Sequence, residues 1–340
     1  MAPAAVAQET RAMLSRRTWL SAAVAAAAGG TTHPGWAATA AAARAAPLPQ
    51  LDIVIPAGAG GGWDQTGRAL GAALQGAGLV KDIAYENKGG KGGTLGLADF
   101  VQRRATQPNA LFISGFVMVG ALALDQKPEA MKQLVPLARL TADYPVLCVA
   151  PGQGIATLDD LVRLLKRDVA AVGFTGGSAG GVDHMLAAMV LRVLGQDAGA
   201  MHYLPTSSGK EALEALASGR ARVAISGYSE FKTAIEERRV LPLAVSSRRK
   251  LFGIASLHEQ GVETELSNWR GVFASAALAP AQKDALRKLV LAATDTPQWR
   301  QALVDNNWVG SLLVGRELDS FVEVQQGVAT IVASLLKLKR

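Results

Sequence analysis

The 340-residue chain has a single cysteine, Cys148, which excludes an internal disulfide and a cysteine-built metal cluster. Its four histidines stand without clustered carboxylates at ligand spacing, so no protein-held metal is expected. Nucleotide signatures are missing as well. Walker A needs Gly-Lys-Ser/Thr after its glycines, and the dinucleotide pattern needs glycine where Trp63 stands, so no cofactor is expected. Basic patches are also scarce, because lysines and arginines are scattered among acids. Of the formal charge of +7, Arg11, Arg16, Arg17, Arg44 and Glu9 supply a net share that leaves about +4 from Ala46 onward. That mild excess suits an anionic small molecule and gives no footprint for nucleic acid. The apolar run Ala22 to Ala28 is far short of the ~20 residues that a membrane span requires.

Glycine is abundant, and it is concentrated where it matters. Leu51 to Leu70 reads LDIVIPAGAGGGWDQTGRAL, a β-branched run stopped by Pro56, a glycine cluster, and then Thr66, Ala69, Leu70, Ala73 and Leu74 at helical spacing. Gly58, Gly60, Gly61 and Gly62 allow positive φ and let backbone N–H groups converge on one spot at a helix start, a place that attracts anions. The pattern recurs at Ala170 to Phe174, the loop TGGSAGG from Thr175 to Gly181, and a helix opening at Asp183-His184. Gly61-Gly62-Trp63-Asp64 and Gly180-Gly181-Val182-Asp183 share the form Gly-Gly-x-Asp, which suggests two lobes closing on one ligand.

The first 45 residues read as an address. Arg16-Arg17 before an alanine-rich apolar run, then small-residue sites around Ala43-Arg44-Ala45, resemble a twin-arginine export signal over 1–45, with Met13 as a second candidate start. Further on, apolar runs at 82–86, 110–114, 134–140, 144–150, 200–204, 222–226 and 241–246 alternate with helical patterns. Strands so separated predict a parallel or mixed sheet, with ligands outside the strands' carboxyl ends. Ser114 and Ser226 fall at such ends, Tyr144 opens the run 144–150, and Ser207 stands in a turn that feeds a helix. Pro151-Gly152-Gln153-Gly154 marks a break near which the chain is expected to cross to a second lobe, and Asn268 to Phe273 a return.

The blocks PAGAGGGWDQTGRAL, ENKGGKGGTLGL, GFTGGSAGGVDHML, SNWRGVFA and DNNW, taken in order, resemble the extracytoplasmic receptors of tripartite tricarboxylate transporters, the TctC or Bug family. The resemblance implies a type II periplasmic-binding-protein fold of two α/β lobes joined by two crossing segments, with 46–147 and 269–340 in lobe 1 and 148–268 in lobe 2. It also implies a monomeric, non-enzymatic periplasmic receptor that takes a citrate-like di- or tricarboxylate and hands it to membrane permease subunits. Gly60, Gly61, Gly62, Trp63 and Asp64, together with Ser178, Ala179, Gly180, Gly181, Asp183 and His184, would hold the carboxylate, largely through backbone amides. Lys88 and Lys91 depart from the neutral residues usual in the family's third glycine loop.

Two other readings compete. Gly176-Gly177-Ser178-Ala179-Gly180 satisfies the G-x-S-x-G elbow of serine hydrolases, with His202 and His258 downstream, although no His-Gly-Gly-Gly oxyanion segment precedes it. A receptor that reports its ligand to a membrane kinase is the third. Asp64 and Asp183 would repel an anion if aimed at it, so they are expected to orient the loops by accepting backbone N–H bonds. Trp63 and Tyr144 are candidates for the cleft wall or the core.

Overall fold

The computed structural model describes residues 46–336 apart from Ser207. The export-signal reading of 1–45 and the candidate at Ser207 therefore lie outside the described residues. Two sheets carry the fold. The first holds β1 (Leu48–Ile55), β2 (Val80–Asn87), β3 (Ala110–Gly115), β4 (Leu134–Asp143), β10 (Asn268–Ser275) and β11 (Val309–Leu313) in the order β11-β4-β10-β3-β1-β2. The second holds β5 (Pro145–Val149), β6 (Gly173–Gly176), β7 (His202–Pro205), β8 (Val223–Gly227) and β9 (Leu241–Val245) in the order β7-β6-β8-β5-β9.

Each sheet is mixed, parallel within its strand-helix-strand units and antiparallel where a strand from a distant part of the chain is inserted. β1 runs parallel to β2 and β3, whereas β10 lies antiparallel between β3 and β4. β6 is parallel to β7 and β8, and β5 antiparallel to β8 and β9. β4 ends at Asp143 and β5 begins at Pro145, so the chain changes sheet across Tyr144. The change comes before β5, not at 147/148 within it nor at the Pro151-Gly154 break after it. Pro145 explains this, because it pushes Tyr144 toward extended backbone while the apolar run 145–149 pairs onward in the new sheet. Asn268 opens β10, the return to the first sheet.

The helices are α1 (Gly62–Gly76), α2 (Thr94–Arg104), α3 (Phe116–Leu124), α4 (Leu158–Arg167), α5 (Val182–Val193), α6 (Gly209–Ala217), α7 (Tyr228–Glu236), α8 (Pro280–Thr294), α9 (Pro297–Asp305) and α10 (Gly315–Leu335). Their starts differ in kind. Thr157, Ser208 and Thr296 cap α4, α6 and α9 by accepting first-turn N–H bonds. α1, α3, α5 and α7 start instead at Gly61, Gly115, Gly181 and Gly227, with no side-chain cap. The first-turn amides of these four helices are thus left to something other than their own cap residues.

α3 and α7 are where sequence pattern was weakest. Phe116 to Leu124 is apolar throughout and lacks helical period, and α7 follows β8 with no loop between. The C-terminal helices pack on the first sheet's side, α8 and α9 against α1, and α10 against α3 and β4. Cys148 is fully buried in a small cluster with Val146, Phe231 and Val245, and burial pushes its thiol well above the usual range. Among the described residues no helix is long and apolar enough to cross a membrane.

Candidate functional site

The loops after β1 and β6, the end of β8 and the starts of the helices that follow them, with Val117 of α3, border one cleft of about 590 Å³. Gly60, Gly61, Gly62 and Trp63 line it from the first loop, Ser178, Gly181 and Asp183 from the second, and Ser226 from the end of β8. The two loops are built alike. Gly60 has φ +82 and Gly180 φ +75, a left-handed backbone that disfavours a side chain. Each precedes a cap glycine, Gly61 or Gly181, whose carbonyl accepts the first bond of its helix, from Gln65 N–H and Met185 N–H respectively, both at 2.9 Å.

That geometry shifts the repeat by one residue from the shared Gly-Gly-x-Asp. Gly60 corresponds to Gly180 and Gly61 to Gly181, so the counterpart of Asp64 is His184, not Asp183. The N–H of Gly60 donates to Asp64 Oδ2 at 2.8 Å, and the N–H of Gly180 to His184 Nδ1 at 2.9 Å. Asp64 is also held by Arg68 and Asn87. Burial acts against its charge, but these bonds and the Gly60 amide keep its carboxyl below the usual range. His184 stacks on Tyr203 with ring centroids 4.0 Å apart, and burial lowers its pKa to about 4. Both residues therefore stand behind their loops as orienters, as expected for Asp64.

Asp183 faces the cleft. It accepts the Gly177 N–H at 2.8 Å, yet desolvation, reinforced by Glu230 and Asp143, pushes its pKa up to about 7. Trp63 serves as both wall and core, lining the cleft while only 7 % exposed. The remaining candidates lie elsewhere. Ser114 is fully buried with its hydroxyl 3.4 Å from Met118 Sδ, because α3 starts directly over the strand end. Tyr144 packs half-buried against the Cys148 cluster at the sheet change. Ala179 is exposed and Gly180 buried, and neither borders the cleft. Lys88 pairs with Asp99, and neither it nor Lys91 reaches the cleft.

Sequence reasoning missed Asp143, Glu230, Asn268, Arg270 and the stretch Asn306 to Trp308, all of which line the cleft. Arg270 is the principal cation. It sits 7 % exposed on a central strand, 3.4 Å from Asp143 and with its Cζ 5.2 Å from the Trp308 ring centroid. A signal did exist, since Asn268 and Arg270 flank the apolar Trp269, placing two polar side chains on one face of a buried strand. Among the described residues no histidine is hydrogen-bonded to Ser178, His184 is occupied by Gly180, and His202 and His258 are exposed.

The model of the tripartite tricarboxylate transporter family receptor matches residues 71–323. The chain belongs to this family. It is 23% identical over 236 residues to the UPF0065 protein in the TAR-I ttuE-ttuC' intergenic region of Agrobacterium vitis, covering 67% of this chain and 66% of that protein, just under two thirds of its length. A TctC solute-binding protein from Polaromonas superposes with TM-score 0.70 at 20% identity over 86% of this chain and 99% of that one. MatC from Rhodopseudomonas palustris, solved with malate, gives 0.67 at 22% over 84% and 99%. A second R. palustris protein, solved with adipate, gives 0.72 at 18% over 86% and 99%. The two-sheet architecture is thus the type II periplasmic-binding fold. Receptors of the TctC family are periplasmic solute-binding components of transport systems.

Proposed function

We propose that this TctC receptor binds a small organic carboxylate between its two glycine loops and presents it to the membrane permease subunits of a tripartite transporter. The observation that carries the reading is the convergence of two uncapped helix N-termini, α1 and α5, on one cleft that also holds Arg270. Each helix start offers free N–H groups and about half a positive charge. A carboxylate that bridges them satisfies donors on both sides, and donors left unpaired cost ~1–3 kcal/mol each. Ligand would therefore favour the arrangement in which the loops approach each other. The structural neighbours solved with malate and adipate support the ligand class. A citrate-like tricarboxylate belongs to that class, although Asp143, Asp183 and Glu230 in the cleft oppose a threefold negative charge.

A thermal-shift screen against succinate, malate, adipate, citrate and amino acids tests this reading. A true ligand at a hundredfold excess over Kd stabilises by about 2.7 kcal/mol. No shift with any carboxylate-bearing compound would remove the proposal. Export through a twin-arginine system is the accompanying reading, supported by Arg16-Arg17 and the apolar run after them. Replacing both arginines with lysine should strand the protein in the cytoplasm, and an unchanged periplasmic yield would refute it.

A further inference from the structure

The cleft that should take an anion carries more carboxyl groups than cations. Asp143, Asp183, Glu230 and Asp305 line it beside one guanidinium, that of Arg270. Asp143 ends β4 opposite Asn268, and Arg270 lies two residues further along the neighbouring antiparallel strand β10, on the same face as Asn268. The Asp143 and Arg270 side chains are 7 % and 9 % exposed respectively, and a single contact joins them, Arg270 Nη2 to Asp143 Oδ2 at 3.4 Å. Arg270 Nη1 and Asp143 Oδ1 are buried and have no hydrogen-bond partner. A pair serving stability alone would close the bidentate fork that guanidinium and carboxylate geometry allows. This pair instead keeps one donor and one acceptor in reserve.

The surrounding backbone keeps room for both groups. A Cβ at Gly62, in the first turn of α1, would stand 2.7 Å from Arg270 Nη2, and one at Gly227 would run into the Asp143 carboxylate. Positive character thus gathers where the guanidinium meets the start of α1. Negative character gathers where Asp143 lies within electrostatic reach of Glu230 and Asp183. Glu230 itself accepts the Ser226 hydroxyl proton in a hydrogen bond.

We infer that Arg270 and Asp143 form a split site for a zwitterion, Arg270 Nη1 taking a carboxylate and Asp143 Oδ1 taking an ammonium group of the same amino-carboxylate ligand. The inference rests on the carboxylate-receptor reading and narrows it. One carboxylate completes the guanidinium, and one ammonium completes the aspartate and offsets the acids beside it. A plain dicarboxylate would bring its second negative charge against Asp143 and Glu230, where the low local dielectric enlarges repulsion.

Calorimetric titration of the purified full-length protein with matched pairs tests this: succinate with aspartate, glutarate with glutamate, propionate with alanine, isovalerate with leucine. In the pair that fits the cleft, the amino member should bind at least tenfold tighter than its deamino partner, and N-acetylation, which removes the ammonium and keeps the carboxylate, should abolish that gain. Asp143→Asn should erase the preference, the amino and deamino members of the pair then binding within about twofold of each other. Plain acids that bind as tightly as their amino partners in every pair would overturn the ammonium site and leave the carboxylate receptor standing. Retention of the preference in folded Asp143→Asn would also overturn the site. Absence of binding by all eight compounds and by citrate would overturn both readings, and because the wild-type comparison needs no variant, a poorly folding Asp143→Asn leaves the test intact.

Discussion

The backbone N–H of Gly180 donates to Nδ1 of His184, so the second glycine loop is held by a neutral imidazole where the first is held by the carboxylate of Asp64. The two acceptors serve one purpose, fixing a left-handed glycine so that the following helix start opens on the cleft. They differ in what acid does to them, because a protonated His184 could no longer accept at Nδ1.

Opposite pH signatures should follow at His184 and Asp183. With a folded pKa of about 4 against an ordinary 6.5, His184 loses stability as pH falls from 6.5 to 4, because the unfolded chain takes the proton first. Asp183, near 7 against 3.8, loses stability as pH rises from 3.8 to 7, because the unfolded chain ionises first. The two effects overlap and oppose, so the wild type should vary little between pH 5 and 7.5. His184→Asn should be more stable at pH 5 than at 7.5, and Asp183→Asn less stable, each by roughly 2 kcal/mol at 1.36 kcal/mol per pKa unit. Chemical denaturation at both pH values measures this, and parallel profiles in the two variants would contradict the assignments.

The glycine loops separate by what a methyl group would meet. Gly60→Ala adds a Cβ with nothing within 4 Å, so only the left-handed backbone is penalised, about 1–2 kcal/mol. Gly180→Ala has a similar φ, but its Cβ would overlap Leu124 of α3, and the loss should be larger. Leu124→Ala in the Gly180→Ala background should recover the excess. Equal costs at the two glycines, or no recovery, would mean that the loop does not seat on α3.

The strands from β1 to β9 and the two glycine loops were legible because their information is local: β-branched runs, glycine clusters and the helical periods after them, whereas β11 went unread. The one-residue offset between the loops was not, since Gly-Gly-x-Asp matches letters, whereas equivalence is set by which glycine takes positive φ. Asp143, Glu230 and Arg270 come from three distant parts of the chain and meet only once the sheet order is known. α3 escaped because a uniformly apolar helix has no polar face to give it a period.

Ser178 distinguishes binding from chemistry. Ser178 lines the cleft, and among the described residues no histidine is hydrogen-bonded to it. Ser178→Ala should weaken ligand binding by about 1 kcal/mol, one hydrogen bond, and neither form should hydrolyse p-nitrophenyl esters above background. Ester turnover by the wild type that vanishes in the variant would establish the hydrolase reading in place of the receptor.

The Asp143–Arg270 pair should behave as a unit. Removing the cation with Arg270→Gln leaves a buried carboxylate without its counter-charge, and breaking a buried pair from one side typically costs 3–5 kcal/mol. Burial already pushes the Asp143 carboxyl up, with Arg270 as the main opposing influence, so in the variant it should take up a proton at higher pH. The loss in Arg270→Gln should therefore shrink as pH falls toward 5, and Asp143→Asn added to Arg270→Gln should recover most of it at pH 7.5, because two neutral side chains leave no charge to desolvate. A double-mutant cycle by urea denaturation at both pH values reads the coupling directly. Additive losses, or a single-variant cost below about 1 kcal/mol at pH 7.5, would show that solvent already compensates Asp143, and the pair could then not be the poised, half-satisfied element that a ligand completes.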